Sequence, residues 1–218
     1  MTLDLVIFDC DGVLVDSEPL SNQVTVDALA GMGVHMSLQE AMDLFMGKSM
    51  VQVAAIARAR GAPLPGTDAE WIAELYDITY ARLREGVDPI PGVVGVLDAL
   101  DAAGVPYCVA SNGSDEKMDI TLGGTGMAAR FAGKRFSAHA LGVSKPDPEL
   151  FFIAARAMGV APERAVVIED SGSGALGAQR AGMRCFGYAP KGGEDLEKVG
   201  AEVFRDMGDL PALLGIAK

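Results

Sequence analysis

The sequence has little cysteine, few aromatic residues and no long apolar stretch. Its three cysteines, Cys10, Cys108 and Cys185, are an odd number at unpaired spacing, which argues against a disulfide framework and against a zinc site. Aromatic residues make up 6% of the chain, so aliphatic side chains and methionine must fill most of the interior. No apolar stretch approaches the roughly 18 residues of a membrane helix. We therefore expect a cytoplasmic protein with no membrane partner.

Positive charge is scarce as well. Lys and Arg total 18 against 30 Asp and Glu, which gives a formal net charge of −12. Such a surface repels a phosphate backbone, and no cluster of Lys or Arg counters it, so nucleic acid is not expected as a partner. A small anionic ligand would also be repelled unless its site supplied positive charge from a metal ion or from lysines. We expect a monomer or a weak homo-oligomer.

Four short apolar runs, each followed by a small or polar loop, indicate buried parallel strands. They alternate with segments of helical periodicity, and this alternation predicts a doubly wound, Rossmann-like α/β sheet. The predicted core domain comprises residues 1–16 and 91–218. The apolar runs are Leu3–Phe8, Pro106–Ala110, Ala165–Ile168 and Met183–Tyr188, and the helical segments are Gly92–Ala103, Pro148–Met158 and Gly174–Ala181.

Residues 17–90 interrupt this alternation. Ser37-Leu-Gln-Glu40 and Thr67-Asp-Ala-Glu70 have the form of capping boxes, which open helices. Three segments carry apolar residues at helical spacing, namely Val26–Met32, Met50–Ala59 and Trp71–Arg84. The pattern predicts an all-helical domain inserted after the first strand. A single continuous α/β domain with extra helices is the alternative.

The predicted strands end in residues that can carry chemistry. Asp9 and Ser111 close the first two strands, Glu169 and Asp170 close the third, and Lys145 stands just before a helix. Ligands of open α/β sheets bind at the carboxyl ends of the strands. Four loops from distant parts of the sequence are therefore expected to meet in one crevice.

Asp9 and Asp11 are two residues apart, so in an extended backbone their side chains point to the same side. Such a pair of carboxylates can bind a divalent cation, or divide the roles of nucleophile and acid/base between them. A solvated Asp-Gly turn is the alternative for this dipeptide pattern taken alone.

Four motifs decide between these readings. The run from Asp9 to Glu18, Asp-Cys-Asp-Gly-Val-Leu-Val-Asp-Ser-Glu, resembles the first signature of the haloacid dehalogenase superfamily. Val109–Gly113, Lys145–Pro148 and Ile168–Gly174 resemble the remaining three signatures, in the correct order. The helical insert resembles the cap of the subfamily that contains sugar-phosphate phosphatases, such as the bacterial 6-phosphogluconate phosphatase type, and β-phosphoglucomutase.

The resemblance implies a role for each acidic residue. Asp9 would attack phosphorus and form an aspartyl-phosphate, while Asp11 would protonate the leaving alcohol and later deprotonate a water molecule. Mg²⁺ would be held by a carboxylate oxygen of Asp9, the backbone carbonyl of Asp11 and the side chain of Asp170. Glu169 would contact the metal directly, contact it through a water molecule, or position Lys145.

The resemblance also implies which residues contact the substrate. Ser111 and the backbone amides of Asn112 and Gly113 would bind the oxygens of the transferring phosphoryl group. Lys145 would neutralise charge on that group and on Asp9. In the cap, which selects the substrate in this family, Lys48 is the candidate for an anionic or hydroxylated part of the substrate.

Two other functions remain open at this stage. β-Phosphoglucomutase shares the core, but it carries a histidine and an arginine where this chain has Ser21 and Met50, which favours hydrolysis. A protein that only binds a phosphorylated ligand would be expected to lack Asp9 or Asp11, and both are present. The sequence thus predicts a Mg²⁺-dependent phosphatase whose partner is a small phosphate monoester, either a sugar phosphate or a sugar-acid phosphate.

Overall fold

A computed structural model describes residues 3–45 and 48–216 of the chain. The chain divides into two compact units. The first unit, called the core here, contains the chain up to Asp16 and from Asp88 onward, and the second, called the insert, is Ser17–Val87. The action of the insert as a cap stays a prediction.

Over its described residues, the core is built on one parallel sheet of six strands in the order β3-β2-β1-β4-β5-β6. This is the strand order of doubly wound nucleotide-binding folds, and it confirms the predicted fold class. The strands are β1 (Leu5–Phe8), β2 (Tyr107–Ser111), β3 (Arg135–Ser137), β4 (Ala165–Glu169), β5 (Arg184–Tyr188) and β6 (Glu202–Phe204).

The described part of the insert contains four helices, which pack around the buried side chains of Trp71 and Leu29. They are α1 (Glu18–Gly31), α2 (Leu38–Phe45), α3 (Met50–Ala59) and α4 (Asp68–Glu85). Helix α4 opens with the predicted capping box, because Thr67 and Glu70 each accept a hydrogen bond from the backbone N–H of the other. Ser37 accepts the N–H of Glu40 as predicted.

The remaining helices belong to the core and cover both faces of the sheet. They are α5 (Val93–Ala103), α6 (Asp115–Gly124), α7 (Ala138–Leu141), α8 (Glu149–Ala157), α9 (Gly172–Arg180), α10 (Glu194–Lys198) and α11 (Leu210–Leu213). Because side chains alternate along a strand, Leu5 and Ile7 pack with α8 and α9 on one face. Phe8 contacts Tyr107 edge-to-face on the other. Among the described residues, no helix is both long and apolar enough to span a bilayer.

Candidate active site

The carboxyl ends of β1, β2 and β4 lie side by side in the sheet. Phe8 is in register with Val109 of β2 and with Ile168 of β4. Asp9 follows directly, and its backbone N–H donates to the carbonyl of Ile168 at 2.9 Å. The strand order reverses between β1 and β4, and such a reversal is where open α/β sheets bind ligands. The topology therefore places Asp9 and Glu169 at the expected crevice.

Lys145 joins these two carboxylates. Its Nζ donates to Oδ1 of Asp9 at 2.5 Å and to Oε1 of Glu169 at 2.5 Å. The lysine side chain is only 3% exposed and that of Glu169 only 1%. A buried ammonium is stable only when opposite charge compensates its lost hydration. The two carboxylates supply that compensation, so the three side chains form one buried charged triad.

Burial and mutual contact shift the pKa values of Asp9 and Lys145. Burial raises the pKa of Asp9 above its usual range; Lys145 opposes this shift, whereas Glu169 and Asp11 reinforce it. Burial acts to lower the pKa of Lys145, but Asp9 and Glu169 outweigh it and raise that pKa. Lys145 therefore keeps its charge, and any further cation beside Asp9 would favour the ionised carboxylate.

The second oxygen of Glu169 is hydrogen-bonded as well. Oε2 accepts the N–H groups of Asp170 and Ser171 at 3.0 and 2.9 Å, and the hydroxyl of Ser171 at 2.8 Å. The Ser171 Oγ in turn accepts the N–H of Gly174 at 3.1 Å and caps α9. Glu169 is thus held between Lys145 and the start of α9.

The Glu169 carboxylate occupies the space where a side chain at position 174 would begin, and Gly174 has no side chain. A Cβ at this position would overlap the carboxylate, which four donors hold in place. We expect Gly174→Ala to lower the free energy of unfolding by about 2 kcal/mol, since the enlarged residue forces the neighbouring group to move. Gly123→Ala in α6 is the control, because a Cβ there meets nothing within 4 Å.

Urea unfolding of both variants tests this expectation. In the control, alanine should raise the free energy of unfolding by about 0.4–1 kcal/mol by restricting the unfolded chain. Equal stability of the two variants would show that Glu169 is not rigidly held.

A second group of oxygens has the composition of a metal site. Asp9, Glu169 and Asp170 each offer one carboxylate oxygen, and these oxygens lie within 4.8 Å of one another. A Cβ at Gly12 would overlap the Asp170 carboxylate, so the glycine lets that carboxylate lie against the backbone that follows Asp11. Oxygen ligands suit Mg²⁺, so the donor chemistry fits the predicted ion.

The loop after β2 contacts the loop that carries Lys145. The Oγ of Ser111 is buried and accepts the N–H of Gly113 at 3.0 Å. The side-chain oxygen of Asn112 accepts the backbone N–H of Lys145 at 2.9 Å, and the Ser137 hydroxyl donates to the Gly113 carbonyl at 2.7 Å. The sequence predicted a role for the Asn112 amide N–H alone. The contact of its side chain was missed, and no local pattern in the sequence indicates it.

Asp11 forms an ion pair that the sequence analysis did not foresee. Its Oδ2 lies 2.8 Å from Nζ of Lys117, the third residue of α6. The positive charge of Lys117 could have indicated such a pair, because a cation in the first turn of a helix interacts unfavourably with the helix dipole. Such a residue is expected to have a partner of opposite charge.

Lys48 is the one predicted site residue that lies in the insert. It is exposed, and its N–H donates to the Phe45 carbonyl at 3.0 Å, just before the serine that caps α3. Its contact with substrate stays a prediction.

Comparison with known proteins identifies the family. The model of the haloacid dehalogenase-like hydrolases matches residues 3–182, and the chain belongs to this family. The membership predicted from the four signatures is therefore confirmed, as is the prediction of a hydrolase.

Several relatives match over most of their length. The 6-phosphogluconate phosphatase of Escherichia coli (strain K12) is 35% identical over 186 residues, which is 84% of this chain and 81% of that protein. The phosphoglycolate phosphatase of Caulobacter vibrioides is 30% identical, and the match covers 94% of this chain and 88% of that protein. A family hydrolase of Deinococcus radiodurans, solved with bound phosphate and sodium, has a TM-score of 0.84 and 33% identity, covering 99% of this chain and 98% of that one.

Proposed function

We propose that the chain is a Mg²⁺-dependent phosphatase that hydrolyses a sugar phosphate or a sugar-acid phosphate through an aspartyl-phosphate on Asp9. The observation that carries this proposal is the buried triad of Asp9, Lys145 and Glu169 at the reversal of strand order. Phosphatase activity follows from the family and from relatives that are named as phosphatases.

Asp9 is the nucleophile in this mechanism. A carboxylate oxygen of Asp9 attacks phosphorus, and the bond between phosphorus and the alcohol oxygen breaks. The Lys145 ammonium neutralises negative charge on Asp9 and Glu169, since it lies 2.5 Å from each carboxylate. Because Glu169 uses both oxygens to accept hydrogen bonds, we assign it to positioning Lys145 and not to direct metal contact.

Asp11 moves the protons. It gives a proton to the leaving alcohol oxygen as the aspartyl-phosphate forms. It then takes a proton from the water that attacks phosphorus, and inorganic phosphate and free Asp9 result. Asp11 can serve both steps because it lies two residues from the nucleophile, on the same loop after the carboxyl end of β1.

The loop after β2 receives the phosphoryl group. Ser111 is buried at the end of that strand, and the backbone N–H groups of Asn112 and Gly113 follow it. Their donors, with Lys145, stabilise charge that develops on the phosphoryl oxygens. The N–H of Gly113 donates to Ser111 in this structure, so substrate binding exchanges that internal bond for one to a phosphoryl oxygen.

Asp9 and Asp170, with the backbone carbonyl of Asp11, would hold the metal ion. When bound, Mg²⁺ neutralises charge on the transferring phosphoryl group and on the carboxylates around it. The net negative charge of the chain makes such local compensation necessary for an anionic substrate.

The experiment that tests this proposal is phosphate release from a panel of esters, in Mg²⁺ and in EDTA. The panel contains 6-phosphogluconate, hexose 6-phosphates, sugar-alcohol phosphates, phosphoglycolate and β-glucose 1-phosphate. We expect release from at least one sugar or sugar-acid phosphate, with activity lost in EDTA and restored by added Mg²⁺. A panel without release, in which β-glucose 1-phosphate becomes glucose 6-phosphate, would establish a mutase and contradict hydrolysis.

A further inference from the structure

Lys117 lies in the first turn of α6, where a positive charge is unfavourable for the helix itself. Ser114 caps that turn by accepting the Lys117 N–H at 3.1 Å, and Asp115 and Glu116 supply the acidic charge that the helix dipole favours. The ammonium of Lys117 opposes the dipole at the same place. Its presence there calls for a reason outside the helix.

That reason is the carboxylate of Asp11. Nζ of Lys117 lies 2.8 Å from Oδ2 of Asp11, and the two side chains are 21% and 23% exposed. The pair is thus screened by water less than an ion pair on the open surface, where such contacts contribute little. An ion pair of this kind can fix the direction of a short side chain such as aspartate.

The ion pair lies beside the loop that receives the phosphoryl group in the proposed mechanism. A Cβ built on Gly113 would lie 3.3 Å from Oγ of Ser111, 3.6 Å from Cδ of Lys117 and 3.7 Å from Oδ2 of Asp11. Both members of the pair and the buried serine therefore lie close to Gly113. The carboxylate that would deliver the proton is held next to the loop that would hold phosphorus.

We propose that Lys117 is a positioning residue that orients the Asp11 carboxylate for proton transfer to the leaving alcohol. In the acid form of Asp11, Oδ2 still accepts a hydrogen bond from the Lys117 ammonium, and Oδ1 carries the proton that passes to the leaving alcohol oxygen. Lys117 itself neither gives nor takes a proton. This inference rests on the proposed phosphatase function. It assigns to Lys117 a role distinct from that of Lys145, whose ammonium is occupied by Asp9 and Glu169.

Dependence on the leaving group tests this role. A sugar alkoxide needs a proton in order to leave, whereas 4-nitrophenolate leaves without one. The value of kcat/KM reports the steps up to departure of the leaving group. We expect Lys117→Met to lower kcat/KM by about 100-fold for the best sugar phosphate of the panel and by less than about fivefold for 4-nitrophenyl phosphate.

Three further variants make the test specific. Lys117→Arg keeps a cation that can reach Asp11 and should restore most of the activity on the sugar phosphate. Lys134→Met removes the same charge from the residue just before β3, at the opposite end of the strands, and should leave both activities unchanged. In an Asp11→Asn background, Lys117→Met should add little to the loss, because residues that act as one unit are not additive.

Two results would overturn the role of Lys117 alone. In both, the wild-type chain turns over both esters. In the first, Lys117→Met lowers kcat/KM equally for the sugar phosphate and for 4-nitrophenyl phosphate. In the second, Lys117→Met lowers kcat/KM in the Asp11→Asn background by as much as it does in the wild-type chain. Circular dichroism of each variant separates these results from unfolding, and the arginine variant keeps the test valid if methionine disturbs the fold. Absence of turnover by the wild-type chain on every ester would instead overturn the phosphatase proposal, and this inference with it.

Discussion

Asp9→Asn is expected to abolish measurable phosphate release, with a loss in kcat/KM of roughly 10⁴-fold or more. An amide oxygen is a poor nucleophile and cannot form the aspartyl-phosphate. The size of asparagine matches that of aspartate, and Lys145 keeps Glu169 as a partner, so the fold should persist. The measurement is phosphate release from the best ester of the panel at high enzyme concentration, with circular dichroism to verify folding.

Asp4→Asn is the matched control for that variant. Asp4 lies just before β1 and forms an ion pair with Arg164 on the surface, away from the carboxyl ends of the strands. The substitution removes the same charge from the same chain segment, and turnover should stay within about twofold because exposed ion pairs contribute little. Turnover by Asp9→Asn at the wild-type rate would remove Asp9 from the mechanism and favour a different nucleophile.

The parts of the sheet that the sequence predicts are those buried on both faces. All of β1, β2 and β4 is buried, and a strand in that environment must be a nearly continuous apolar run. β3 and β6 were not predicted. Each has three residues, and each includes positions that are partly or fully exposed, so neither produces a continuous apolar run or a long alternation.

The positions of the site residues were predictable for a related reason. Asp9 and Glu169 are polar residues at the ends of apolar runs, and the ends of parallel strands meet at one edge of the sheet. The choice of partners was not predictable, because it depends on side-chain directions that only the folded chain defines. The pairing of Lys117 with Asp11 and the contact of the Asn112 side chain with the Lys145 backbone both belong to this class.

The insert shows the same division between local and long-range signals. Ser49 and Gln52 form a capping box at the start of α3, and the sequence analysis did not identify it although Ser-x-x-Gln fits the pattern. A capping box lies within four consecutive residues, so it is a local signal. The packing of α1 to α4 around Trp71 is a long-range arrangement, and helical spacing alone predicts the helices without their order in space.

Lys145→Met should cost about 3–5 kcal/mol of stability and, in addition, remove turnover. The substitution takes the ammonium from between two buried carboxylates, and an unpaired buried charge carries a penalty of that size. Urea unfolding in EDTA measures the effect without compensation by a metal ion. Lys134→Met is the control, and it removes a lysine that lies over the Tyr107 ring. Its free energy of unfolding should fall by much less than that of Lys145→Met.

The double variant Lys145→Met with Glu169→Gln separates folding from catalysis. The glutamine oxygen can still accept the N–H groups of Asp170 and Ser171 that Glu169 accepts now. With only one carboxylate left in the triad, most of the lost stability should return, because the second unpaired charge is gone. Turnover should remain absent, since no ammonium is left beside the nucleophile. Recovery of turnover with stability would mean that Lys145 serves only the fold, whereas a double variant less stable than Lys145→Met would show that the repulsion between Asp9 and Glu169 is not what the lysine offsets.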